Sequence, residues 1–187
     1  MKVIFLDFDG VISTYEMGWR IDSNKLMLVD KIIQATDAKI VVTSSWKHGC
    51  DNVEEFKSKI YTRRGSKDIK DETPFGKFIS QIYDITNGCG YRGEEVEEWL
   101  NNHEVESYVI LDDDSDFKNE QLFHFVQTDA YEGLTSREVK LCITILNGKK
   151  VVNPIRLNLV LTTMWRNKCS GLEKNNIEEM LKTYYNK

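Results

Sequence analysis

Carboxylates dominate the residues whose types and spacing could do chemistry. Asp7 and Asp9 stand two positions apart just after the apolar run KVIFL, and Gly10 follows them where a tight turn is needed. A second acidic run, Asp112-Asp113-Asp114-Ser115-Asp116, follows the apolar YVIL. If the two apolar runs are neighbouring strands, six carboxylates share one end of a sheet, and so much like charge calls for a counter-ion. All-oxygen ligands of this kind suit a hard cation such as Mg²⁺. Taken singly, an Asp-Gly pair is an ordinary turn and an acidic run an ordinary solvated loop or helix cap. Thr43-Ser44-Ser45-Trp46 follows another apolar run, KIVV, and offers hydroxyls and successive backbone N–H groups, an anion cradle or, read alone, a helix cap. Arg92, twenty residues before Asp112, can place a guanidinium near a phosphate, although a lone Arg before a helix is commonly a surface charge.

These groups need elements that bring them together. Short apolar runs predict buried strands over residues 2–6, 39–42, 81–85, 108–111 and 124–126. Helical spacing predicts helices over 22–35, capped by Asp22 or Ser23, over 94–103 with Arg92 at its opening, and over 136–146. Strands alternating with helices imply crossover connections and a parallel sheet, and ligands bind such sheets where strands end and loops begin. The expected class is α/β, a Rossmann-like three-layer α/β/α arrangement.

At 187 residues with 41% apolar content, the chain is the size of one domain with a substantial core. The net charge of -5 argues against a surface uniformly adapted to nucleic acid. From Gly148 onward eight Lys and Arg oppose three Glu, so residues 1–147 are expected to form the domain and 148–187 a basic, helical C-terminal extension packed on it. No apolar run approaches a membrane span or a signal-peptide core, so a cytoplasmic protein without membrane contact is expected. The four cysteines show no CxxC pairing, which favours reduced structural thiols over zinc or disulfides.

In this order and at these strand ends, IFLDFDGV, IVVTSSW, YRGEEVEEWL and VILDDDSD resemble the four motifs of the haloacid dehalogenase superfamily over about residues 1–147. TSSW, RGEEVEEWL, YVILDDDSDF and FVQTDAYEGLT resemble, more narrowly, the phosphatase-like domain of Swiss Army Knife RNA repair proteins. The resemblance implies Asp7 as nucleophile, an aspartyl-phosphate intermediate, and Asp9 as general acid and base. It implies Mg²⁺ held by Asp7, the Asp9 main-chain carbonyl and Asp113, with Asp112 or Asp116 binding through water. Thr43, Ser44 and Arg92 would hold phosphoryl oxygens. The superfamily's third-motif residue is often Lys, which leaves Lys77 and Lys47 as alternatives to Arg92.

The short span between the first two motifs leaves little room for a cap domain, so an open site is expected. Six basic residues and one acid between Lys57 and Lys70, with Tyr61 among them, could track a nucleic-acid backbone or form a solvated helix and loop. The tail adds Lys149, Lys150, Arg156, Arg166, Lys168 and Trp165 as a second basic patch. The expected substrate is a phosphate ester, either a nucleic-acid end or a small molecule such as a nucleotide. The rival from another class is a non-catalytic module binding metal, phosphate or nucleic acid. Trp46, Trp99, His103 and His124 are expected to be structural.

Overall fold

The computed structural model describes residues 1–63, 73–88 and 90–148. In chain order the elements are β1 (Lys2–Leu6), β2 (Ser13–Thr14), β3 (Arg20–Ile21), α1 (Ser23–Thr36), β4 (Lys39–Val42), α2 (Val53–Arg63), α3 (Pro74–Gln81), β5 (Ile82–Ile85), α4 (Arg92–Asn101), β6 (Ser107–Asp112), β7 (Phe125–Gln127) and α5 (Ser136–Leu146). Five strands form one parallel sheet in the order β5-β4-β1-β6-β7, and β2 and β3 form a small antiparallel hairpin.

Period-2 alternation sorts the strand side chains into two cores. Ile4, Leu6, Ile40, Val42, Val109 and Leu111 face one side, under α1, α2, α3 and α5. Val3, Phe5, Val41, Ile110 and Phe125 face the other, where Val96 and Trp99 of α4 cover them. This is the expected three-layer α/β/α arrangement. From β1 the chain moves outward to β4 and β5, then returns to lay β6 on the opposite flank of β1. The crevice of such a sheet opens between those two strands, at their carboxyl ends.

The strands expected over 2–6, 39–42, 81–85, 108–111 and 124–126 and the helices expected over 22–35, 94–103 and 136–146 form, with shifts of a residue or two at the ends. The helix with Arg92 at its opening does start there and ends at Asn101, and its first turn is capped from a distant loop: Gly93 N donates to the Asp116 carbonyl at 3.3 Å and Arg92 N to Asp116 Oδ2 at 3.5 Å. No local pattern announces such a cap. Asp22 caps α1 as expected, accepting from Asn24 N at 2.8 Å. After Thr43 and Ser44 the chain makes a single 3-10 turn, Ser45–Lys47, in place of the expected helix start. The stretch after it folds into α2 and α3, whose Phe56, Ile60, Phe75, Phe78 and Ile79 enter the main core. Between the first two strand ends lie only the β2–β3 hairpin and α1, consistent with the expected absence of a large cap there. The basic extension from residue 149 onward, and Arg64, Lys67 and Lys70 of the basic segment, lie outside the described residues. Among the described residues no helix is long and apolar enough to cross a membrane.

Candidate active site

Ladder hydrogen bonds continue one step beyond the strands and set the site residues at one level. Asp7 N donates to Leu111 O at 2.9 Å, Thr43 N to Leu6 O at 3.0 Å and Thr128 N to Asp112 O at 2.9 Å. Asp7, Thr43 and Asp112 therefore emerge side by side from three adjacent strands, and all three are buried.

The carboxylates of Asp7, Asp112 and Asp113 converge, each offering an oxygen within 4.8 Å of the others. Arg92 reaches in from the start of α4. Its Nη1 lies 2.6 Å from Asp112 Oδ2, an aligned hydrogen bond, and 2.8 Å from Asp7 Oδ1, to which it makes no aligned bond. One guanidinium faces three acids, and burial withdraws the water that would otherwise screen them. Burial raises the Asp7 carboxyl above its ordinary value despite the opposing pull of Arg92. Burial, then the charge of Asp7, pushes Asp112 up to about 8, and burial chiefly raises Asp113. For Arg92, burial works against the cation, yet the charges of Asp7 and Asp112 prevail and raise its pKa.

The fit to a divalent cation follows from these observations. Asp7 Oδ1 is a buried acceptor without a hydrogen bond, beside two further carboxylates whose charge one Arg does not neutralise. An all-oxygen donor set with surplus negative charge suits Mg²⁺. Gly10 makes room: its φ is +72°, and a Cβ there would lie 2.2 Å from Asp113 Cγ. Gln127 Nε2 donates to the Asp113 carbonyl at 2.8 Å and fixes that loop.

The other expected site residues are placed differently. The Asp9 carboxylate stands apart from the three-carboxylate cluster, with Oδ1 accepting from Ser13 Oγ at 3.0 Å and Oδ2 from Trp46 Nε1 at 2.8 Å. Asp116 is exposed and engaged at the start of α4. Thr43 Oγ1 is buried without a hydrogen-bond partner, whereas Ser44 Oγ accepts from Trp46 N at 3.4 Å and also touches Asp7. Of the three third-motif alternatives, Arg92 is the one that meets Asp7. Lys47 is buried against Glu95 Oε2 at 3.0 Å and the Gly88 carbonyl at 2.9 Å. Lys77 bridges α3 to Asp30 of α1 at 2.7 Å. Within the basic segment, Lys59 is spent on the Trp46 and His48 carbonyls and Lys57 on Glu54.

Sequence reasoning assigned Trp46 to the core and passed over Ser13, yet these two orient Asp9. The signal available was position: Trp46 follows Thr43 by three residues, at the same strand end. His103 and His124 stack on Trp99 and Tyr108, as expected of structural histidines. Beside Asp9 opens a cleft of about 630 Å³ lined by Asp9, Trp19, Arg20, Ile21, Trp46, Ile60 and Phe75.

Residues 3–139 match the family model described as the HAD domain in Swiss Army Knife RNA repair proteins. No curated protein and no solved structure gives a significant match.

Proposed function

Given that the chain belongs to the family of HAD domains in Swiss Army Knife RNA repair proteins, we propose that it is a Mg²⁺-dependent phosphomonoester hydrolase acting through an aspartyl-phosphate on Asp7. The observation that carries this reading is Asp7 itself. It is a buried carboxylate at the crevice of the sheet, with Oδ1 held by the Arg92 ion pair at 2.8 Å but by no aligned hydrogen bond, and a second acid, Asp9, two residues on.

In the first step Asp7 attacks phosphorus in line; the Asp7 O–P bond forms, the ester P–O bond breaks, and Asp9 gives a proton to the leaving oxygen. In the second, water attacks the phosphoryl group and gives a proton back to Asp9, while the Asp7 O–P bond breaks and inorganic phosphate leaves. Ser13 and Trp46 aim Asp9 for both transfers. Thr43 Oγ1, with no other partner, donates to a phosphoryl oxygen, and Arg92 balances the charge of Asp7 and meets a second phosphoryl oxygen. Ser44 supports the turn that presents Thr43. Asp7, Asp112 and Asp113 would hold Mg²⁺, with the Asp9 main-chain carbonyl as a further ligand and Asp116 reaching it through water. The cation supplies charge neutralisation between the nucleophile and the anionic ester.

The family's description names RNA repair, which supports phosphate at nucleic-acid ends as the substrate. A second reading, small phosphate esters such as nucleotides, is favoured by the cleft beside Asp9, whose volume of about 630 Å³ is that of a small-molecule site. Both go with a cytoplasmic enzyme. A non-catalytic binding module is disfavoured by Asp9, held by two donors where a binding surface has no need of an acid.

The test is phosphate release with Mg²⁺ by the wild type and by Asp7→Asn, on 3'-phosphate and 5'-phosphate oligonucleotides, a mononucleotide and an aryl phosphate. Turnover that disappears in Asp7→Asn is the expected result. Release unaffected by the substitution, or none from any substrate, overturns the proposal.

A further inference from the structure

We propose that Trp19, with Tyr15 behind it and Arg20 beside it, forms a nucleobase-stacking subsite, so that the phosphate removed is one carried by a nucleotide. This rests on the roles given above to Asp7 and Asp9 and names the substrate class of that site.

Folding does not account for these side chains. Tyr15, Trp19 and Tyr131 are 62%, 47% and 57% exposed, and neither core includes them. They nonetheless form one patch: Tyr15 meets Trp19 edge-to-face with ring centroids 6.1 Å apart, and Tyr131 at 5.8 Å. Adjacent exposed aromatics on a small domain mark a binding surface.

Trp19 carries a further cost. Its φ is +59°, in the left-handed region that a bulky residue rarely adopts and glycine adopts freely. An indole kept at such a position, in a turn closed by Trp19 N donating to Thr14 O at 2.8 Å, is there for its ring.

The location identifies the ligand. Trp19 and Arg20 line the same cleft as Asp9, the group assigned above to protonate the leaving oxygen. Arg20 is exposed and forms no ion pair among the described residues. A leaving group here meets an aromatic face and an exposed cation, the pairing that suits a base and its neighbouring phosphate. Around Tyr131 the chain carries three exposed acids, Glu16, Asp129 and Glu132, which discourage a polyanion from running past it. The surface therefore fits the single base next to the scissile phosphate.

Binding can be read separately from turnover by calorimetry in the Asp7→Asn background. One pair of ligands is a nucleoside monophosphate and ribose phosphate; the other is a phosphate-ended oligonucleotide and the same strand abasic at that end. The base-bearing member should bind on the order of tenfold tighter, the equivalent of one base–aromatic stack. The pair with the larger preference tells a free nucleotide from a strand end. Adding Trp19→Gly, which suits the local φ and so spares the fold, should erase the preference, and Trp19→Phe should retain most of it. Equal affinity within both pairs, no binding of either base-bearing ligand, or a preference that survives Trp19→Gly overturns the subsite. Phosphate release by the wild type judges the phosphatase reading on its own: a preference lost in Trp19→Gly without any turnover leaves the subsite standing and removes the enzyme.

Discussion

Trp46 Nε1 donates to Asp9 Oδ2 at 2.8 Å, and the ring of the same residue packs on Phe8 with centroids 5.5 Å apart. One side chain thus joins the core to the group assigned the proton transfers. Trp46→Phe keeps an aromatic ring against Phe8 but removes the N–H together with part of the indole's bulk. Under the proposed mechanism kcat should fall by roughly 10- to 100-fold, at or below the lower end of the about 10²–10⁴ that general acid–base catalysis contributes because Asp9 itself remains, with KM little changed. Steady-state kinetics on the best ester checks this, and a rise in KM at constant kcat would contradict the assignment.

Arg92 is the cation that Asp7 and Asp112 share at 2.8 and 2.6 Å. Arg92→Ala leaves two buried carboxylates facing each other, and the metal-free protein should lose about 3 kcal/mol at pH 8.5, as when one partner of a buried pair is removed. Added Mg²⁺ should restore much of this loss. Denaturant melts with and without Mg²⁺ provide the comparison; an equal loss under both conditions would mean that cation and guanidinium do not share the same charges.

Asp112, at about 8 in the folded protein against 3.8 as the ordinary value, gives a pH dependence whose sign can be worked out. Between those values the folded state holds a proton that the unfolded chain has released. Stability of the metal-free protein should therefore fall as pH rises from about 5 to 8.5, with a slope of up to about 1.4 kcal/mol per pH unit from this group. Asp112→Asn should flatten the slope. Under the proposed function Mg²⁺ would displace that proton, so its apparent affinity should climb over the same range. Thermal melts across pH, with and without Mg²⁺, test both statements.

Gly10 and Gly18 share a left-handed backbone, with φ of +72° and +63°, but differ in surroundings. A Cβ on Gly18 meets nothing within 4 Å, whereas one on Gly10 strikes the Asp113 carboxylate. Both alanine variants should lose about 1 kcal/mol of stability from the backbone. Only Gly10→Ala should also weaken Mg²⁺ binding, by tenfold or more, because Asp113 must move. Titration of Mg²⁺ into the two variants separates the effects.

Much of this was legible in the chain because the informative residues follow strands. An apolar run such as KVIFL marks where a side chain must surface, and register then aligns Asp7, Thr43 and Asp112 without further information. The convergence of Asp7 with Asp112 and Asp113 was readable for the same reason. The β2–β3 hairpin escaped notice because two-residue strands carry no alternation. The choice among Arg92, Lys47 and Lys77 could not be made from spacing, since it depends on which cation finds a carboxylate elsewhere: Glu95 for Lys47 and Asp30 for Lys77. Trp46 read as core because an indole's apolar body dominates its pattern, while the N–H that matters here finds its acceptor only in three dimensions.

The alignment of strand ends also dictates when the site can exist. Asp7 N closes onto Leu111 O, and Asp112 and Asp113 follow directly, more than a hundred residues after Asp7. On a growing chain, the first acid waits through most of synthesis for its companions. Pairing of such high contact order forms late and slowly. Under the proposed function, a divalent cation therefore has no cluster to bind until β6 has docked beside β1, and should stabilise the finished sheet without guiding its assembly.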